Sequence, residues 1–195
     1  MRIAVLGWGS LIWDPRDLPL VGGWNEGGPP LPIEFSRVST DGRLTLVIDP
    51  DNGTGTPTRF AESARGDLED AVCDLRNREG AVAKHIGFVD LVGGTSRCSQ
   101  APTLHAIRGW AGSHGFDAVV WTDLPSNFRE KTGAAFSVED AVRYLGSLPH
   151  EVAERAREYV ERAPVEVQTP LRRLAPGSGG TCRTRRVQVL PTPPR

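Results

Sequence analysis

Two segments of the 195-residue chain carry residue types whose spacing could do chemistry. The first is the turn Gly7-Trp8-Gly9-Ser10, which follows an apolar run at residues 2–6 that predicts an opening strand. Glycines let a backbone turn sharply and approach a ligand closely, and successive free N–H groups in such a turn can bind an anion. The segment lacks the ending of a Walker A loop and the third glycine of a dinucleotide-binding fingerprint. Taken alone, the pattern favours an ordinary tight turn.

The second segment places a carboxylate, Glu79, at the end of a predicted helix. The helix is indicated by apolar residues at i, i+3, i+4 and i+7, namely Leu68, Ala71, Val72 and Leu75. Asp67 is its predicted N-cap and Gly80 its C-terminal stop. The negative end of the helix dipole disfavours a charge on Glu79, and desolvation would prepare the group further for general-base work. Position alone favours an exposed glutamate paired with Arg76 or Arg78.

Together the two segments resemble the γ-glutamylcyclotransferase-like superfamily. The run Gly-Trp-Gly-Ser-Leu-Ile-Trp-Asp-Pro at residues 7–15 is similar to the signature turn of its glutathione-degrading branch, which has Tyr where Trp8 stands here. The helix ending Leu-Arg-Asn-Arg-Glu-Gly lies where the superfamily carries its catalytic glutamate. Residues 118–122 are similar to its later strand with an aromatic near the end, so the resemblance covers roughly residues 2–125.

The resemblance implies an intramolecular reaction on a small-molecule substrate. The α-amine of a γ-glutamyl group attacks its own γ-carbonyl, and 5-oxoproline and an amine are released. Glu79 is implied as the general acid/base, and Trp121 is implied to lie near the pocket. The oxyanion donors would be the backbone N–H groups of Trp8, Gly9, Ser10 and Leu11. No protein nucleophile, metal ion or organic cofactor is needed for this chemistry, because positioning supplies much of the rate.

Other functions stay open at this point. The scaffold could be a non-catalytic module that holds a carboxylate or phosphate at the turn, or a lyase or amidohydrolase acting on a peptide-linked amide. Cys98 could be a nucleophile with His105 or His114. Arg37 and Arg59 could each bind a substrate carboxylate in a bidentate pair, although surface salt bridges are the commoner role of such residues.

The cysteines and histidines do not indicate a metal site or a disulfide framework. The chain has an odd number of cysteines with no close pair: Cys73, Cys98 and Cys182. Its histidines are scattered without a metal-ligand interval: His85, His105, His114 and His150. We therefore expect no metal ligand set and inert thiols.

Composition and charge narrow the class of protein. A hydrophobic share of 38% with 24% charged residues is typical of a globular chain, and 22 Gly with 16 Pro favour a turn-rich fold over a helical bundle. No apolar run approaches the ~18 residues of a membrane span and no signal peptide is evident, so we expect a cytoplasmic protein with no membrane partner. Residues 167–195 hold six Arg and no acidic residue. Without an aromatic residue to stack a base, they favour solvated charge over nucleic-acid binding.

The periodicity predicts one α+β domain over residues 1–190, followed by a tail at residues 191–195. The resemblance implies that its strands form a mixed sheet or small barrel with flanking helices and a C-terminal helical elaboration. Strands are predicted at residues 2–6, 32–38, 43–49, 58–64, 85–92, 116–122 and 183–190. Residues 49–57 are predicted as a loop and 176–180 as a flexible one. Helices are predicted at residues 68–79, 103–111, 138–148 and 150–163.

Overall fold

The structure, a computed structural model, describes residues 1–174. Its strands are β1 (Ile3–Gly7), β2 (Leu20–Asn25), β3 (Leu31–Val38), β4 (Leu44–Ile48), β5 (Thr54–Thr56), β6 (Arg59–Ser63), β7 (Ile86–Asp90), β8 (Ser96–Arg97) and β9 (Ala118–Thr122). Its helices are α1 (Leu68–Glu79), α2 (Ala101–Ser113), α3 (Phe128–Thr132), α4 (Val138–Gly146), α5 (His150–Arg162) and α6 (Pro170–Leu174). None of these helices is long and apolar enough to cross a membrane.

The strands of the described chain form two sheets. The larger is a mixed sheet with the order β2-β6-β1-β9-β7-β8, in which β1 runs parallel to β9 and antiparallel to β6. The smaller sheet has the order β4-β3-β5 and is antiparallel. The predicted α+β class with a mixed sheet and flanking helices is confirmed.

The hairpin of the smaller sheet follows from its turn residues. Ser39 and Arg43 close the turn through a backbone hydrogen bond of 2.9 Å, and Gly42 takes a φ of 89°, which a side chain would strain. The Ser39 hydroxyl donates to Asp41. The hairpin that the Asp41-Gly42 pair predicts is confirmed.

Strand β1 is buried on both faces because a different layer covers each. Ile3 and Val5 pack with Ala71 and Leu75 of α1 on one face. Ala4 and Leu6 join a second core that includes residues of the smaller sheet and of α2, α4 and α5. The turn after β1 therefore emerges between α1 on one side and the smaller sheet with α5 on the other.

The two ends of α1 are fixed by local chemistry. The Asp67 side chain accepts from the amides of Glu69 and Asp70 at 2.8 and 3.1 Å. At the other end Gly80 adopts the left-handed conformation with a φ of 60°. The helix therefore ends at Glu79, as predicted.

Several elements depart from the sequence-based expectations. Residues 54–56 form strand β5 inside the segment predicted as a loop. This short polar run has no alternating apolar pattern, and its backbone hydrogen bonds to β3 make it a strand. Strands β2 and β8 and helices α3 and α6 were not predicted, since none has a clear apolar period. The predicted strand at 183–190, the loop at 176–180 and the tail at 191–195 lie outside the described residues.

A buried carboxyl group in β3 connects the smaller sheet to the C-terminal end of the described chain. Glu34 is fully buried, and the amide of Phe35 donates to its Oε1 at 2.7 Å. Burial raises the pKa of Glu34, and the charge of Asp49 adds to this effect. The Thr169 hydroxyl and the amides of Phe35 and Leu171 act in the opposite direction.

Because the pKa of Glu34 is higher in the folded than in the unfolded chain, the folded state binds more protons and its stability falls as pH rises. The contribution is complete below the unfolded pKa of about 4.3 and is lost as pH passes the raised folded value. Glu34→Gln removes the titration. Urea unfolding between pH 4 and pH 8 is therefore expected to give a less steep fall in the free energy of unfolding for E34Q than for wild type. Parallel curves would contradict the assignment.

Candidate active site

A cavity of about 870 Å³ opens where the turn after β1, the end of α1, the β3–β4 hairpin and α5 meet. Residues 7–11 line it together with Glu79 and Tyr159. Its volume lies within the range of small-molecule sites, roughly 300–1,000 Å³. The structure thus brings the two segments singled out in the sequence to one cavity.

Glu79 faces this cavity with one carboxylate oxygen held and the other open. Its Oε1 accepts from Nη1 of Arg78 at 2.6 Å, and the two side chains are only 16% and 6% exposed. No residue of the described chain donates a hydrogen bond to its Oε2. The carboxylate is therefore oriented by the protein and retains one oxygen for a ligand.

Arg78 fastens the end of α1 to the turn. Its Nε donates to the carbonyl of Asp14 at 3.1 Å, and its Nη2 donates to the same oxygen. Nη2 also reaches the Ser10 hydroxyl at 3.5 Å. In return, Nη1 of Arg16 donates to the Arg78 carbonyl at 2.9 Å. A planar guanidinium can make these contacts at once because its donors are fixed in a fork.

The turn lines the cavity and contains backbone amides that have no backbone acceptor in the described chain. Amides of Ile12 and Asp14 donate back to the carbonyls of Gly9 and Ser10 at 3.0 and 2.8 Å. Among residues 1–174, no backbone carbonyl accepts from the N–H groups of Trp8, Gly9 or Leu11. The Ser10 amide, also predicted as an oxyanion donor, hydrogen-bonds to the Tyr159 hydroxyl instead. The free donors of Trp8, Gly9 and Leu11 are suited to a developing negative charge on oxygen.

The two glycines of the turn serve close packing rather than an unusual backbone conformation. Neither Gly7 nor Gly9 has a positive φ. A Cβ on Gly7 would lie 2.8 Å from the ring of Trp24, and a Cβ on Gly9 would lie 2.7 Å from the hydroxyl of Tyr159. The close approaches recorded in the structure are therefore to two aromatic side chains of the protein itself.

Tyr159 of α5 contributes a buried hydroxyl that the sequence analysis did not assign to the site. Its ring meets Trp13 edge-on at 5.3 Å between centroids, and the Arg43 guanidinium lies 5.2 Å above it. Burial raises the pKa of Tyr159 above its usual value of about 10, and the Glu79 charge raises it further. The amides of Leu46 and Ser10 oppose the shift. The phenol is therefore neutral at physiological pH and can donate a hydrogen bond.

Trp8 was expected to offer its backbone N–H to the site, and Trp121 was expected to lie near the pocket. The Trp8 side chain packs in the core, so this residue offers the cavity mainly its backbone. Trp121 is fully buried and is not among the described residues that line the cavity. Its ring lies 2.3 Å from the position of a Cβ on Gly87, so it fills the space that this glycine leaves. The expected pocket position of Trp121 is corrected to a core position.

Of the other candidate residues, Arg59 and Cys98 lie away from the cavity lining and Arg37 belongs to it. Arg59 forms ion pairs with Glu166 at 2.7 Å and with Glu26 at 3.5 Å, so its role is structural. The Cys98 thiol donates to the Gln100 carbonyl at 3.1 Å, and burial raises its pKa, which disfavours a nucleophilic thiolate. Arg37 lines the cavity. Within residues 1–174, no group of three His, Cys, Asp or Glu side chains is placed to hold a metal ion.

Gly9→Ala is expected to destabilise the fold by about 1–3 kcal/mol, because the added methyl group overlaps the Tyr159 hydroxyl. Tyr159→Phe removes that oxygen, so the same substitution should cost about 1 kcal/mol less in the Y159F background. Urea unfolding of the four proteins of this cycle measures the coupling. Gly23→Ala is the matched control, because nothing lies within 4 Å of its new Cβ. An equal cost of G9A in both backgrounds would exclude the contact.

Comparisons with known proteins do not assign the site. No protein-family model matches the chain, no curated protein matches it, and no solved structure matches it. The geometry of the cavity and the chemistry of its side chains therefore carry the functional assignment.

Proposed function

We propose that the protein is a γ-glutamylcyclotransferase-type enzyme that releases 5-oxoproline and an amine from a γ-glutamyl amide. The observation that carries the proposal is the shared cavity: Glu79 and residues 7–11 line it together, and Arg78 joins them. A partly buried carboxylate with an open oxygen is suited to proton transfer. The adjacent free amides are suited to an oxyanion.

The proposed reaction begins with transfer of a proton from the substrate α-ammonium to Oε2 of Glu79. The freed amine attacks the γ-carbonyl carbon, a C–N bond closes the five-membered ring, and the carbonyl oxygen becomes an oxyanion held by the turn amides. The bond to the amine half then breaks as Glu79 returns its proton to the leaving nitrogen. The carboxylate formed in this way takes the second proton from the ring nitrogen, which leaves neutral 5-oxoproline, and passes it to the released amine, which departs as an ammonium ion. Because the nucleophile belongs to the substrate, holding it near the carbonyl provides much of the acceleration.

Tyr159 has a place in this proposal. The related superfamily turn carries a tyrosine where Trp8 stands, so its hydroxyl is missing from the turn here. Tyr159 brings a neutral hydroxyl against Gly9 from α5. We assign this hydroxyl as a hydrogen-bond donor to the substrate beside the turn.

The alternative functions fit the cavity less well. A module that only binds an anion has no use for Glu79, because its free Oε2 can accept a proton or a hydrogen bond but cannot donate one to an anion. An amidohydrolase acting on a peptide-linked amide needs an open groove along which the peptide can lie. The cavity volume of about 870 Å³ lies within the range of small-molecule sites. Membership of the superfamily, with its mixed-sheet or small-barrel fold, remains part of the proposal. The same holds for cofactor-independent chemistry and for a cytoplasmic location.

Glu79→Gln is expected to lower kcat for 5-oxoproline release by about 10²-fold or more, because the amide cannot accept the ammonium proton. The carbonyl of the introduced amide can still accept from Arg78, so the fold should be retained. The measurement is mass-spectrometric detection of 5-oxoproline from a panel of γ-glutamyl amides, with thermal unfolding as a check on folding. Glu151→Gln, on the exposed surface of α5, is the matched control. A folded E79Q protein with most of its activity would exclude Glu79 as the base.

Tyr159→Phe is expected to lower kcat by about tenfold or more while the protein stays folded, because a donor to the substrate is lost. The chain has two tyrosines, so Tyr144→Phe is a matched control. The Tyr144 hydroxyl already donates to the Gly42 carbonyl at 2.6 Å, so Y144F should affect stability more than kcat. Equal losses of kcat in Y159F and Y144F would contradict the assignment of the Tyr159 hydroxyl as a donor to the substrate.

A further inference from the structure

The tip of the β3–β4 hairpin places a cation over the ring of Tyr159. Arg43 directly precedes β4, and its guanidinium carbon lies 5.2 Å from the centroid of that ring. A guanidinium over an aromatic face is attracted by the negative charge of the ring surface. Arg43 and Tyr159 both line the cavity, so their contact is part of the cavity wall.

The Asp41 carboxylate joins Arg43 to α5, the helix that carries Tyr159. Oδ2 of Asp41 lies 3.1 Å from Nε of Arg43 and 3.8 Å from Nε of Arg155. Arg155 and Tyr159 are four residues apart on α5, so they lie on the same side of the helix. Arg43 is therefore fixed against α5 at two points, through Asp41 and through the Tyr159 ring.

The Tyr159 hydroxyl is arranged so that it can donate to a ligand. The backbone amides of Ser10 and Leu46 hydrogen-bond to it and occupy the lone pairs of its oxygen. The Tyr144 hydroxyl donates to the Gly42 carbonyl, but within residues 1–174 no group accepts from the hydroxyl of Tyr159. The proton of this hydroxyl is thus available to a molecule in the cavity.

The charge of Arg43 acts on the same hydroxyl. It lowers the pKa of Tyr159, as the two amides do, whereas burial and the charge of Glu79 raise that pKa. A group that lowers the pKa of a phenol stabilises negative charge on its oxygen. Because this oxygen gains negative charge as its proton moves toward an oxyanion, Arg43 makes the hydroxyl a stronger donor in the transition state.

We infer that Arg43 is a positioning residue that holds the Tyr159 ring against the turn and strengthens its hydroxyl as a donor to the substrate, an inference that rests on the proposed function. Arg43 itself transfers no proton and forms no bond to the substrate. Its loss should lower kcat through Tyr159 and leave KM nearly unchanged. The effect should disappear when residue 159 has no hydroxyl.

A double-mutant cycle of Arg43→Gln and Tyr159→Phe, with γ-glutamylglycine as substrate, tests this coupling. R43Q is expected to lower kcat about fivefold with KM nearly unchanged, and to cause no further loss of kcat in the Y159F background. Arg43→Lys should recover part of the loss, because it keeps a cation beside the ring. Arg155→Gln, exposed on α5, is the matched control, because it removes the other cation at Asp41 and should retain kcat. Thermal unfolding checks that each variant is folded.

Four results of this cycle would overturn the inference. An unchanged kcat in R43Q would show that Arg43 has no effect on the reaction. Equal losses of kcat on adding R43Q to wild type and to Y159F would show that Arg43 acts independently of the hydroxyl. A rise in KM that persists in the Y159F background would show that Arg43 binds the substrate directly. Equal losses of kcat in R43Q and R155Q would show that the ion pairs of the hairpin tip cause the effect.

A spectroscopic experiment separates this inference from the proposed function. Glutarylethylamide resembles a γ-glutamyl amide but lacks the α-amine, so it cannot cyclise. The chain has two tyrosines, so protein labelled with ¹³C at the tyrosine Cζ gives two NMR signals, and Tyr144→Phe identifies the signal of Tyr159. Glutarylethylamide is expected to shift the Tyr159 signal in wild type and to shift it less than half as far in R43Q.

The two outcomes of this experiment are independent of turnover. The expected difference between wild type and R43Q, found without any 5-oxoproline release, would preserve the role of Arg43 at the Tyr159 hydroxyl and reject the enzyme. Equal shifts in both proteins, or no shift in wild type, would overturn the inference. If 5-oxoproline is released in that case, the proposed function is preserved.

Discussion

The Arg78 guanidinium joins parts of the molecule that are far apart in the sequence, and the candidate site depends on it. It holds the Glu79 carboxylate at the end of α1, and it binds the Asp14 carbonyl and the Ser10 hydroxyl on the turn after β1. Removing one member of such a little-exposed ion pair is costly, because the other charge is left without compensation. The distance between the carboxylate and the turn amides is thus set by a contact that the fold cannot easily give up.

A second constraint comes from the opposite side of the cavity. Gly9 has no side chain to separate the turn from the Tyr159 hydroxyl, and the Tyr159 ring is packed against Trp13 and Phe35. Helix α5 therefore forms part of the cavity wall. One wall of the site comes from the layer that covers one face of β1, and the other wall comes from the layer that covers the opposite face.

Features with a local cause were predictable from the sequence. The bounds of α1 follow from the Asp67 cap and from Gly80, and the hairpin follows from Asp41-Gly42. The position of Glu79 beside the turn required the resemblance to a known family as well. Strand β5 could not be predicted, because it exists only through pairing with β3.

Side-chain roles that depend on long-range partners were beyond the sequence. Arg37 and Arg59 look alike as cationic side chains on strands, yet their partners differ. Arg59 forms an ion pair with Glu166, more than a hundred positions away, whereas Arg37 has no carboxylate within 4.0 Å in the described chain and interacts with Glu130 from farther away. Tyr159 lies on the apolar face of α5, so its sequence position predicts a core residue. Its hydroxyl group was the one feature that could have indicated a role in the site. Trp121 lies near the end of β9, a strand of the expected type, but its ring fills the space beside Gly87 in the core.

The central claim is that the substrate's own amine, and not water, attacks the γ-carbonyl in a cavity where Glu79 accepts the proton. The most direct measurement is the reaction of γ-glutamylglycine in water enriched in ¹⁸O, followed by mass spectrometry of the products. Cyclisation predicts 5-oxoproline without the heavy isotope, released together with glycine. Glutamate that carries one ¹⁸O atom would show that water is the nucleophile and would contradict the account.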